Sequence, residues 1–168
     1  MYKLLVLLNV IVLIAGCSKD DSNPVDPPNN TSGFILCQVN SVQWSATGLE
    51  ASKVQSTFHL KGTKEISGHS VFNASEIYLR IININQPGTF GIGENEPGFQ
   101  YFVKGTFTYK SEDGLQDEVF TAYYLDYSLM KINSITNKSI DAEFNIKLYN
   151  QDFSDSLFIT NGRMNLNF

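Results

Sequence analysis

Cysteine and histidine are both scarce in this chain, at two each among 168 residues. Cys17 and Cys37 allow one intrachain disulfide at most, which excludes a densely stapled scaffold. With only His59 and His69, little is left for histidine catalysis, which needs a base held against a nucleophile and an orienting acid. Positive charge is also short: 12 Lys and Arg stand against 17 Asp and Glu, a net charge of −5, with no basic run. That balance lacks the cationic footprint of a nucleic-acid binder, so no nucleic-acid partner is expected. No apolar stretch approaches the ~20 residues that span a bilayer, and no helical period is sustained.

One apolar run does exist, at the start. Lys3 precedes Leu4 to Ala15, twelve residues broken only by the polar Asn9, and Ile14-Ala15-Gly16-Cys17 closes the segment. The run is short for a membrane span and right for a signal h-region. The segment resembles the lipobox of bacterial lipoproteins, which implies cleavage between Gly16 and Cys17 and lipidation of Cys17. Three acyl chains on Cys17 would anchor the protein to a membrane without crossing it, since two chains already suffice. Losing residues 1–16 leaves 152 residues, and with Lys3 gone the charge moves from −5 to −6. Cys37 then has no partner and is expected as a small buried hydrophobe. Residues 17–33, lipidated Cys17 followed by SKDDSNPVDPPNNTSG, hold a single aliphatic side chain and read as a flexible tether. Ser18-Lys19-Asp20-Asp21 resembles the acidic post-cysteine segment of Bacteroidota-type lipoproteins, which implies an outer-membrane location facing the cell exterior.

Residues 34–168 read as one all-β domain. Ile140, Ala142, Phe144, Ile146 and Leu148 alternate with polar residues, the pattern of a half-buried strand. Phe99, Tyr101, Val103, Gly105, Phe107 and Tyr109 repeat it, and Val119, Thr121, Tyr123, Leu125 and Tyr127 are assigned to an apolar face in the same way. Ile77 to Ile84 is apolar on both parities, as expected of a central strand. Turn signals stand at Gln86-Pro87-Gly88, Glu96-Pro97-Gly98, Glu112-Asp113-Gly114 and Thr136-Asn137-Lys138. Asn161-Gly162 fits either a type I′ hairpin or a bulge within one long strand; both keep Leu157, Ile159, Met164 and Leu166 on one face. The expected fold is an antiparallel β-sandwich of about 8–10 short strands, with a closed or partly open lipocalin-like barrel as the alternative.

Phe34…Val39-Asn40 and Val42-Gln43-Trp44-Ser45-Ala46, then Pro87-Gly88-Thr89-Phe90, Ile140-Asp141-Ala142-Glu143-Phe144 and Ile159-Thr160-Asn161-Gly162, follow one another in order. Together they resemble a family of uncharacterised Bacteroidota-type outer-membrane lipoprotein domains. This chain has Ser41 where that family has Gly, Ala142 for a strand Gly, and Met164 for an aromatic. The resemblance implies no activity and passes on no catalytic residue.

Candidate sites are few. Glu112, Asp113, Asp117 and Glu118 form an acidic cluster with calcium-like chemistry, but they lack the calcium-loop spacing and read more simply as a charged hairpin tip. His59 and His69 flank a polar Lys61–Gly68 segment and read as solvated residues near a turn. Trp44 is expected in the core. Most of Tyr101, Tyr109, Tyr123 and Tyr127 fall on apolar parities, whereas Tyr124 lies on the opposite one and is the candidate ligand-stacking side chain. Asp155-Ser156-Leu157 resembles a short O-glycosylation acceptor. These features predict a non-enzymatic, lipid-anchored surface protein without a cofactor that binds a glycan, peptide or protein. The alternatives are a glycan- or small-ligand-binding component of an outer-membrane uptake system and a carboxylate-based hydrolase.

Overall fold

Alternation of large apolar and polar side chains drives nearly every segment into strands. A computed structural model of the chain describes residues 31–65, 74–93, 103–110, 117–123 and 128–168. They form β1 (Ser32–Val39), β2 (Val42–Ser45), β3 (Gly48–Val54), β4 (Thr57–Glu65), β5 (Ala74–Ile82), β6 (Gly88–Gly91), β7 (Val103–Lys110), β8 (Glu118–Ala122), β9 (Leu129–Ile135), β10 (Ser139–Tyr149) and β11 (Ser156–Asn167). No helix occurs among the described residues. The eleven strands exceed the eight to ten expected, because four-residue strands such as β2 and β6 show no period to read.

All eleven belong to one hydrogen-bonded sheet, in the order β2-β1-β11-β10-β8-β7-β5-β4-β3, with β9 on β10 and β6 on β9. Every strand pair is antiparallel, and the sheet curls into a half-barrel. Its two ends approach each other. β2 ends one edge, β3 ends the other, and only Ala46 and Thr47 separate them in sequence. Across this seam the Ala51 amide donates to Thr31 Oγ1 at 2.9 Å, and the Thr47 amide donates to the Thr63 carbonyl at 2.7 Å.

A fork between β7 and β10 widens one end of the sheet. β8 meets β10 at Ala122–Leu148, and β9 resumes along the same edge at Leu129–Asn145. Ser128, nearly buried at the break, accepts from the Lys147 amide at 2.9 Å and satisfies a donor that the ladder would otherwise strand. At the β9 end, β6 inserts as an extra strand, and its next residue, Ile92, bridges Val103 of β7.

The core fills the concave side. β10 buries Ile140, Ala142, Phe144, Ile146 and Leu148, as its alternation predicts. β5 lies centrally between β4 and β7 and buries Ile77, Leu79 and Ile81. Each large side chain so buried stabilises the fold by about 1.5–3 kcal/mol. Cys37 is buried, which pushes its thiol up to about 12 against a weaker lowering pull from Lys64. Trp44 sits in the core, as expected, and its Nε1 donates to the buried Ser75 Oγ at 2.8 Å.

The two readings of Asn161-Gly162 resolve to a bulge. β11 runs unbroken through it, and register shifts appear opposite it in both β1 and β10. Asn161 takes the left-handed conformation at φ 53°, and Leu157, Ile159, Met164 and Leu166 are all buried. Gly162 faces Phe144 across the ladder, and the phenyl ring occupies the space a Cβ would need. Asn40 and Ser41, at φ 46° and 68°, make the tight β1–β2 turn.

Three expectations need correction. β8 has the opposite parity: Phe120 and Ala122 are buried, Val119 is exposed, and Thr121 and Tyr123 face outward. Phe120 pairs with Phe107 of β7, and burying the larger ring decides the register. Lys61 to Glu65 belong to β4 rather than to a turn, since each pairs with a β5 residue. β1 begins at Ser32, inside the stretch read as tether, because Ser32 and Gly33 pair with Asn167 and Leu166.

Candidate functional site

On the convex face, aromatic side chains that belong to separate strands converge. Tyr123 leaves the end of β8, Tyr149 ends β10, and Phe153 sits in the β10–β11 loop. Phe153 lies 4.6 Å from the Tyr123 ring and 5.5 Å from the Tyr149 ring, centroid to centroid. Lys147 Nζ stands 4.7 Å over the Tyr149 ring and 5.5 Å over that of Phe158. Phe153 and Phe158 remain 53% and 49% exposed, an unusual cost for two phenyl rings on one surface.

The loop that presents Phe153 is held by short polar residues. Asn150 Oδ1 accepts from the Asp155 amide at 3.0 Å, and its Nδ2 donates to Ser154 Oγ at 3.0 Å. The Ser154 hydroxyl and amide both donate to Asp152 Oδ1, which holds that carboxyl below the usual carboxylate range. Phe153 itself adopts φ 60°, the left-handed region that a bulky residue rarely enters. Such strain costs on the order of 1–3 kcal/mol and tends to collect at binding sites.

Beside the cluster lies an open groove of about 620 Å³, lined by Asp117, Glu118, Val119, Asn150, Gln151 and Asp152. Half-buried Tyr109, the strand partner of Glu118, packs its ring on Phe107 and Phe120 of the core. Its phenol is pushed up to about 12, first by desolvation and then by the charges of Glu118 and Asp155. The groove therefore offers carboxylates and amides next to flat apolar rings, a combination suited to grip a sugar or a peptide.

Of the residues singled out from sequence, Asp117 and Glu118 reach this groove. Glu112, Asp113, Tyr124, Gly16, Cys17, Tyr101, Tyr127 and His69 lie outside the described residues. Among the described residues no group of three His, Cys, Asp or Glu is placed to hold a metal ion. His59 is a half-buried β4 residue within hydrogen-bond reach of the Tyr78 hydroxyl at 2.5 Å, not a loop histidine. Asp155 Oδ1 accepts from the Ser156 amide at 2.7 Å where the loop enters β11. Tyr123, assigned inward by parity, is an outward member of the cluster. Phe153, Tyr149, Lys147 and Phe158 carried no local signal, since only strand pairing brings them together.

Comparison with protein-family models, with curated proteins and with solved structures found no match to this chain.

Proposed function

We propose that this chain is a lipid-anchored protein of the bacterial outer membrane, facing the cell exterior, that binds a ligand at Tyr123, Tyr149 and Phe153 without chemically altering it. The observation that carries the binding reading is the strained, half-exposed Phe153, held against two tyrosines by a loop with its own hydrogen-bond network. The anchoring reading rests on the Leu4–Ala15 run and Ala15-Gly16-Cys17. A glycan-binding part of an uptake system is the second reading, supported by amide and carboxylate groups beside stacked rings. The groove does gather Asp117, Glu118 and Asp152, as a hydrolase would require. Ser154 holds the Asp152 carboxyl below the usual carboxylate range, which suits it less to the proton-donating half of such a pair.

Proteolysis of intact cells, paired with a Cys17→Ser variant, tests this reading. Removal of the domain from intact cells and loss of membrane partitioning by the variant are the expected results. A domain that survives protease, or a variant that stays with membranes, would overturn it.

A further inference from the structure

β8 is paired unequally along its two edges. On the β7 side its ladder runs from Glu118 to Thr121, whereas on the β10 side only Thr121 and Ala122 are paired. Continuing the β10 register would set Phe120, Val119 and Glu118 opposite Asn150, Gln151 and Asp152. The chain leaves the ladder there, because the 150–155 loop closes on itself. The Asn150 amide donates to the Asp155 carbonyl at 3.2 Å, and the Asn150 carbonyl accepts from the Phe153 amide at 3.1 Å. Between β8 and the departing loop opens the groove of about 620 Å³.

Backbone direction decides which groups face this groove. Along an antiparallel strand, successive residues turn their N–H and C=O to opposite edges. Asn150 points to the β11 side, since its amide bonds Asp155, so Tyr149 points toward β8 and its partner Thr121 points back. Two residues along, Val119 points the same way as Thr121, and it lines the groove. Among the described residues no strand pairs with Val119 on this side, which leaves one donor and one acceptor open. Such an edge is a template for a further strand. Asp117 shares the Val119 face of β8 and Glu118 takes the opposite one. Both carboxylates are exposed, and neither has an ion-pair partner among the described residues. Asp152 lines the groove from the loop, and both its bonds from Ser154 fall on Oδ1.

We infer that the open edge of β8 takes an extended, basic segment of another protein. The segment adds as a short strand beside Val119 and sets lysine or arginine side chains against Asp117, Glu118 and Asp152. Main-chain hydrogen bonds to Val119 hold the segment, and the carboxylates select its charge. A second copy of this chain would bring the same carboxylates, so the net charge of −5 disfavours it as the occupant. A sugar is gripped by ring faces, and none of the described lining residues is aromatic. The inference goes beyond ligand binding at Tyr123, Tyr149 and Phe153, which are not among those lining residues.

Amide-resolved NMR of the full chain in detergent micelles, titrated with the peptide acetyl-Lys-Lys-Val-Thr-Val-amide, tests this inference. The Val119 amide is expected to shift, and to exchange more slowly with solvent, as the peptide binds. A version N-methylated at its last three residues keeps the charge and loses the donors, and should bind on the order of tenfold more weakly. A version with glutamates in place of the lysines should not bind. Asp117→Asn/Glu118→Gln should weaken binding of the parent peptide on the order of tenfold, through two exposed charge contacts. Glu143→Gln, on β10 and away from the groove, should leave it unchanged. Equal binding by the N-methylated or the glutamate peptide, equal loss in Glu143→Gln, or an undisturbed Val119 amide at millimolar peptide would overturn the inference. Slowing of Val119 exchange by cellohexaose to the same degree would assign the groove to a glycan and overturn it as well. None of these outcomes bears on anchoring or surface exposure, which the proteolysis experiment decides separately.

Discussion

Replacing Gly162 by Ala should destabilise the fold through a collision, not through backbone torsion. The left-handed residue of the bulge is Asn161, at φ 53°, while Gly162 has no positive φ to protect. A Cβ at position 162 would fall onto Cδ2 and Cε2 of Phe144 and 2.7 Å from the Phe144 carbonyl oxygen. Phe144 is 1% exposed, so its ring has nowhere to turn. Overpacking of this kind costs about 1–3 kcal/mol, against which Ala recovers about 0.5–1 kcal/mol of chain entropy. The backbone contact adds to the cost, so a net loss of about 2 kcal/mol is expected. At about 2–4 °C per kcal/mol for a domain of this size, Tm should fall by roughly 4–8 °C. Urea unfolding followed by the fluorescence of Trp44, the one tryptophan, measures it. Phe144→Leu supplies the cross-check. In that background Gly162→Ala should cost about 1 kcal/mol less, because Cε2, one of the two ring atoms it strikes, has gone. A Gly162→Ala variant within about 0.5 kcal/mol of the parent, or a purely additive double mutant, would refute the packing argument.

Ser41→Gly should stabilise the protein by about 1 kcal/mol in the same assay, since Ser41 holds φ 68° in a two-residue turn. Trp44→Phe should cost more than its lost area alone, because it leaves Ser75 Oγ buried without its donor, a penalty of about 1–3 kcal/mol. Cys37 should stay silent to a thiol reagent at pH 8 until the chain unfolds. Its folded pKa is raised, so its contribution to stability is complete below pH 9 and drains away as pH climbs from 9.0 toward about 12. A Cys37→Ala variant should flatten that alkaline limb of the stability curve.

How much of this was legible depended on whether the information was local. β10 could be read almost to its ends, because one strict alternation runs through Ile140 to Tyr149. The four buried residues of β11 could be read as well, since hairpin and bulge preserve the same face. Which of the two occurs could not be read, because the pairing of β11 with both β1 and β10 decides it. Val119 to Tyr123 is apolar on both parities, so only the pairing of Phe120 with Phe107 reveals which side turns inward. The aromatic cluster is illegible for the same reason. Its members stand just past the end of β8, on β10 and β11 and in the loop between those two, and only strand order makes them neighbours. Tyr123 was recognised as an aromatic of interest and assigned to the wrong face.

The binding role of the convex face is tested by mapping backbone amide chemical shifts of the full chain in detergent micelles during titration with a neutral oligosaccharide, cellohexaose. Perturbations should gather at Tyr123 and Tyr149 and in the 150–155 loop, and Phe153→Ala should diminish those around the loop. Shifts spread evenly over the molecule, centred on β6 and β9, or absent at saturating ligand would contradict that role.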